Sequence, residues 1–163
     1  MKSEQALPLI LFVCTGNIFR SMAAEHALRA QLGRYSPYLV GSAGIEAKPQ
    51  AVHPIVRARL IQKGIDPAKH VQRRLTAELI QDAALIIAMG YDHQMHIAQA
   101  FGRHAPLFNQ VSSGSETPIL DLHEALPEWE RDLEAAKAYV ESIVDHIWNA
   151  TPTLMARLPQ FFG

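Results

Sequence analysis

Residues 7–13 are apolar except for Pro8: Leu7, Leu9, Ile10, Leu11, Phe12 and Val13. The run is far short of the roughly 20 residues needed to cross a bilayer, and shorter than an ordinary buried helix. It has no polar alternation, so neither face suits water. It fits a strand covered on both sides, which is the condition of a parallel sheet. Parallel strands need long crossovers, usually helices. This one segment therefore demands that strands and helices alternate along the rest of the chain.

The remaining sequence supplies that alternation. Residues 20–32 read as a helix, with Ala24, Ala27, Leu28, Gln31 and Leu32 at helical spacing and Gly33 as its stop. Tyr38 to Val40 read as a second strand ending in the turn Gly41-Ser42-Ala43-Gly44. Pro54 opens a helix with Ile55, Val56, Leu60 and Ile61 on its apolar face, and Thr76 caps a short helix over 77–82. Ala84 to Met89 form a central strand, followed by a helix over about 92–101 and a short last strand at 105–108. Asn109 to Thr117, polar and rich in Ser and Gly, reads as a loop. A long helix over roughly 128–149 carries the stripe Leu133, Ala136, Val140, Ile143, Val144 and Ile147. The tail 151–163 receives no element. The expected fold is α/β: one doubly wound domain over 1–163, core about 7–149. It has about four parallel strands and helices on both faces. Ligands of such sheets sit beyond the carboxyl ends of the strands, so the loop after the first strand is where to search.

That loop reads Cys14-Thr15-Gly16-Asn17-Ile18-Phe19-Arg20-Ser21. Its backbone N–H groups can wrap an anion, and the helix start adds partial positive charge. Gly16 is the residue expected to take positive φ. Arg20 offers a planar fork for two phosphate oxygens. A free thiol has a pKa of about 8.5, and a helix N-terminus beside an arginine favours its thiolate. Cys14 is then a nucleophile toward phosphorus, and Ser21 can donate to its sulfur. A lone cysteine is more often one more buried apolar residue. The strand before, the helix after, the glycine and the arginine together favour chemistry.

These residues resemble those of the low-molecular-weight protein tyrosine phosphatases, whose loop reads approximately C-x-G-N-x-C-R-S. Cys14, Gly16, Asn17, Arg20 and Ser21 match it. The likeness continues through Ser42-Ala43-Gly44, the stretch His70 to Arg74 and the strand at 84–89, over about residues 7–149. It implies a cysteinyl-phosphate on Cys14, with Thr15 to Ser21 as the phosphate-binding loop. Asn17, Ser21, Ser42 and His70 are its supports. It also implies Asp121 as general acid, although Leu122 stands where the family usually has proline. The implied substrate is protein phosphotyrosine, including that of a bacterial tyrosine kinase of polysaccharide export. Phe19 replaces a second cysteine that many members carry. The loop near residues 47–52 lacks the family's usual aromatic wall. Two other functions compete: a phosphate- or phosphotyrosine-binding module without turnover, and an arsenate reductase. The latter is disfavoured because that chemistry relays through further cysteines.

Composition narrows the rest. Fifteen Lys and Arg against 16 Asp and Glu leave a net charge of −1, so bulk attraction to nucleic acid or an acidic membrane is not expected. One cysteine allows no internal disulfide and no CxxC pair, which fits a reducing compartment. No signal peptide is read, so the expected location is the cytoplasm. No nucleotide motif is present and no cofactor or metal is expected. His93 and His96 share a helix face that reads as solvated, and the basic run Lys69 to Arg74 reads as surface.

Overall fold

The structure, a computed structural model, describes residues 7–162. Three parallel strands form the sheet in the order β2-β1-β3: β1 (Leu9–Cys14), β2 (Leu39–Gly44) and β3 (Ala83–Ala88). β1 lies in the middle, and Ile10 to Val13 are fully buried on it. Its side chains alternate between two cores. Ile10, Phe12 and Cys14 face one with Leu28, Ile87, Phe108 and Ile147; Leu11 and Val13 face the other with Ile86, Ile97 and Leu107. Helices therefore cover both faces, as an unbroken apolar strand requires. α1 (Arg20–Leu32), α5 (Phe108–Ser113) and α7 (Leu133–Arg157) build the first layer. α3 (Ala77–Asp82) and α4 (Tyr91–Phe101) build the second. α2 (Pro54–Gln62) packs Val56 and Leu60 against α1 and α7, and α6 (Leu122–Ala125) is a single turn. Among the described residues no helix is long and apolar enough to cross a membrane.

The fold class and most elements agree with the sequence reading, and four details differ. The fourth strand shrinks to one parallel bridge between Ala88 and Leu107. Pro106 accepts from Ala88 N at 2.9 Å but has no N–H to extend a ladder, and the chain turns into α5 at once. The loop expected from Asn109 is thus helix as far as Ser113, because Phe108 and Val111 have core to bury in. Residues 41–44, expected as a turn, continue β2 in register with Leu11 to Cys14. The small residues that weaken strand propensity there permit close packing: a Cβ on Gly41 would lie 2.5 Å from Arg73 Nη2.

The fourth difference is the C-terminal tail. α7 starts at Leu133, itself exposed, behind the cap of Asp132, and runs on through Pro152 to Arg157. A 3₁₀ turn, Leu158–Phe161, follows. Proline inside a helix costs about 3 kcal/mol. Leu154 and Leu158 are fully buried, and such side chains return roughly 1.5–3 kcal/mol each. Phe162 adds a stack on Tyr38, ring centroids 5.4 Å apart. Burial outweighs the breaker.

Candidate functional site

The loop from Cys14 to Arg20 joins the carboxyl end of β1 to the first turn of α1. Its carbonyls point outward. Cys14 O accepts from Ile45 N at 3.0 Å, Thr15 O from Glu46 N at 2.9 Å, and Phe19 O from Ala23 N at 2.9 Å. Asn17 O accepts from His70 Nε2 at 2.7 Å, which fixes the proton of His70 on that nitrogen. No acceptor among the described residues takes the N–H groups of residues 15–19. A ring of backbone donors at the start of a helix is a cradle for an anion.

Asn17 organises the underside. It, not Gly16, holds the left-handed conformation, at φ 58°. Asparagine tolerates that region better than other side chains because its short amide bonds locally. Fully buried, Asn17 donates from Nδ2 to Ser21 Oγ (2.9 Å) and Ser42 Oγ (2.8 Å), and its Oδ1 accepts from Arg73 N at 3.0 Å. The Ser42 hydroxyl donates a hydrogen bond to Glu25 Oε1 at 2.5 Å, and Glu25 is paired with Arg29 at 2.8 Å. Ser21, already accepting from Asn17, has its hydroxyl proton left for Cys14 Sγ, 2.9 Å away. The basic run read as surface is exposed at Lys69, Val71, Arg73 and Arg74, and it also braces the loop. His70 and the Arg73 backbone hold Asn17, Arg73 O accepts from Gly44 N at 2.8 Å, and Arg73 Nε donates to Ser42 O at 3.3 Å.

Gly44 is the glycine whose space matters. A Cβ there would sit 2.4 Å from Thr15 O and 3.0 Å from Asn17 N. At Gly16 a Cβ would meet Ile18 Cγ1 at 3.5 Å and Gln50 Nε2 at 3.7 Å, which are ordinary contacts.

Arg20 is 2% exposed, and its Nη1 donates to Ile119 O at 2.8 Å. Two carboxylates approach it from the open side: Asp121 Oδ2 at 3.6 Å from Nη2 and Glu124 Oε1 at 3.7 Å from Nη1. Asp121 caps α6. Its Oδ1 accepts from Leu122 N at 2.8 Å and its N–H donates to Glu124 Oε1 at 2.9 Å. A proline at 122 would lack that amide. Leucine captures one carboxylate oxygen and leaves the other facing Arg20. Tyr139 of α7 donates to Leu120 O at 2.5 Å, tying down the segment before the aspartate. Phe19 is buried among Met22, Val56, Leu60 and Val140, so the place of a second cysteine is given to core packing.

The residues singled out in the sequence, Cys14 to Ser21, Ser42, His70 and Asp121, thus converge on one end of the sheet. His93 was missed. Read as solvated, it is fully buried; its Nε2 lies 2.9 Å from Thr15 Oγ1 and its Nδ1 accepts from Gly90 N at 3.0 Å. Burial, reinforced by Arg20, pushes its pKa down to about 4, so the ring is neutral. Helical spacing gave no signal, because the partner lies 78 residues away in sequence.

A family profile described as low molecular weight phosphotyrosine protein phosphatase matches residues 9–160. A protein-arginine-phosphatase of Bacillus subtilis is 36% identical over 117 residues, 69% of this chain and 77% of that protein. A probable low molecular weight protein-tyrosine-phosphatase, EpsP, of Ralstonia solanacearum is 32% identical over 139 residues, 83% of this chain and 90% of its own length. Among solved structures, a cysteine-to-serine mutant of the YwlE arginine phosphatase with a phosphorylated active site serine superposes with a TM-score of 0.78. It is 28% identical, over 93% of this chain and 96% of that one.

Proposed function

The chain belongs to the low molecular weight phosphotyrosine protein phosphatase family, and from that premise we propose how its own residues divide the work of phosphomonoester hydrolysis. The free N–H groups of residues 15–19 and the fork of Arg20 bind the equatorial phosphoryl oxygens. Cys14 Sγ attacks phosphorus in line as the bond to the leaving oxygen breaks. Asp121 gives that oxygen its proton. A water molecule, losing a proton to Asp121, then cleaves the cysteinyl-phosphate and restores the thiolate. The observation that carries this reading is the junction of the donor ring with a sulfur 2.9 Å from the Ser21 hydroxyl. Arg20 Nη1 is held by Ile119 O and the guanidinium is ion-paired with Asp121 and Glu124, but neither carboxylate is within hydrogen-bond distance, so N–H groups of Arg20 remain for a ligand.

The substrate we propose is protein phosphotyrosine in the cytoplasm. The family and the tyrosine phosphatases among the relatives support it. A bacterial tyrosine kinase of polysaccharide export as a partner rests on resemblance alone. Phosphoarginine is the second reading. It is favoured by likeness to the B. subtilis arginine phosphatase and by the exposed Lys48-Pro49-Gln50-Ala51 segment, which offers no aromatic wall.

The test is hydrolysis of p-nitrophenyl phosphate at about pH 6 by wild type, Cys14→Ser and Asp121→Ala. Parallel assays use a phosphotyrosine and a phosphoarginine peptide. Wild type turns over, Cys14→Ser does not, and Asp121→Ala loses about 10²–10⁴-fold. Turnover that survives Cys14→Ser sinks the mechanism. Vanadate binding without turnover in wild type identifies a binding module instead.

A further inference from the structure

The hydrogen bonds around His93 fix proton positions that the mechanism above does not use. A backbone N–H can only donate, so the contact from Gly90 N makes His93 Nδ1 an acceptor. The neutral ring then carries its proton on Nε2, which donates to Thr15 Oγ1 at 2.9 Å. Arg20 Nη2 approaches the same oxygen at 3.5 Å, again as a donor. Thr15 Oγ1 therefore faces donors on both sides, and its own hydroxyl proton must point elsewhere. No acceptor among the described residues takes that proton. The oxygen sits beside Arg20 Nη2, the nitrogen that Asp121 Oδ2 also faces, at the half-exposed rim of the loop.

We propose that the Thr15 side chain is a further phosphoryl-oxygen donor, and that buried His93 is the positioning residue that aims it. This rests on the phosphatase reading and adds a side chain to the backbone cradle. A charged His93 could not serve, since a proton on Nδ1 would oppose the Gly90 N–H. The surroundings hold it neutral: burial, Arg20 from α1 and His96 from its own helix act against the charge. They outweigh Asp92 on its own helix and Asp121 across the site.

The experiment measures kcat/KM for p-nitrophenyl phosphate, the inhibition constant of orthovanadate and the melting temperature. The variants are Thr15→Val, Thr15→Ser, His93→Phe and the double variant that combines Thr15→Val with His93→Phe. A hydrogen bond to a charged oxygen predicts a roughly ten- to hundredfold loss in Thr15→Val, in both kcat/KM and vanadate affinity. Thr15→Ser keeps both within about threefold. His93→Phe loses activity when position 15 is threonine and less than about twofold when it is valine, because histidine acts only through the hydroxyl. A folded Thr15→Val that matches wild type overturns the proposal, as does a His93→Phe loss undiminished in the Thr15→Val background. If His93→Phe does not fold, the valine and serine variants at position 15 decide. A wild type that neither turns over nor binds vanadate overturns the phosphatase reading itself.

Discussion

Gly44→Ala puts the loop under a strain that can be worked out from distances. The new Cβ would lie 2.4 Å from Thr15 O, where ordinary contact begins at 3.4 Å. Something must therefore move by about 1 Å. Thr15 O is held by Glu46 N at 2.9 Å, and the same Cβ would press on Ala47 Cβ and Asn17 N, both at 3.0 Å. The loop cannot retreat freely. Overpacking of this kind costs about 1–3 kcal/mol, or a fall in Tm of roughly 3–10 °C for a chain of this size. A shift of about 1 Å in a catalytic loop costs on the order of 10²-fold in rate. Calorimetry and kcat/KM on p-nitrophenyl phosphate measure the two effects. Gly16→Ala is the control for stability, since its Cβ meets nothing closer than 3.5 Å. A Gly44→Ala protein with unchanged Tm and kcat/KM within threefold of wild type would show that the loop accommodates a Cβ at position 44 without strain. A Gly16→Ala protein that is the less stable of the two refutes the reasoning.

Acid should reveal His93 as a stability term. The group titrates near 6.5 when unfolded and at about 4 when folded, so its contribution is complete above about pH 6.5 and is lost as pH falls toward 4. About 2 kcal/mol is gone by pH 5, and urea unfolding of wild type and His93→Gln should show their stability difference narrowing by that amount between pH 7.5 and pH 5; a constant difference contradicts the buried neutral ring. Peroxide offers a chemical test. With Phe19 in the place of a second cysteine, Cys14 has no thiol to condense with, so oxidation should run to sulfinic and sulfonic acid. Activity and intact mass after dithiothreitol report this, and full recovery of activity refutes it.

Local features were legible in the sequence. β1, α1 over residues 20–32 and the Thr76 cap depend on near neighbours, and they stand where periodicity and capping put them. The phosphate-binding loop was legible because a strand end, a glycine, an arginine and a helix start fall within eight residues. What eluded the sequence is what distant segments decide. Small residues 41–44 read as a turn until β1 is there to pair with them. Asn17 takes left-handed φ because Ser42 and the backbone of Arg73, 25 and 56 residues on, hold its amide. His93 looks like one solvated face with His96 until Thr15 is placed against it. The tail 151–163 receives no element because the cost of Pro152 is local, while Leu154 and Leu158 gain their burial from the far core.

That last helix has a consequence in time. Tyr38 waits for Phe162 to complete its stack, and Leu28 shares a core with Leu154 and Leu158. Synthesis proceeds at about 5–20 residues per second. The segment that becomes β1 therefore leaves the ribosome roughly seven to thirty seconds before the residues that seal it. Through that interval the most apolar stretch of the chain has no finished shelter.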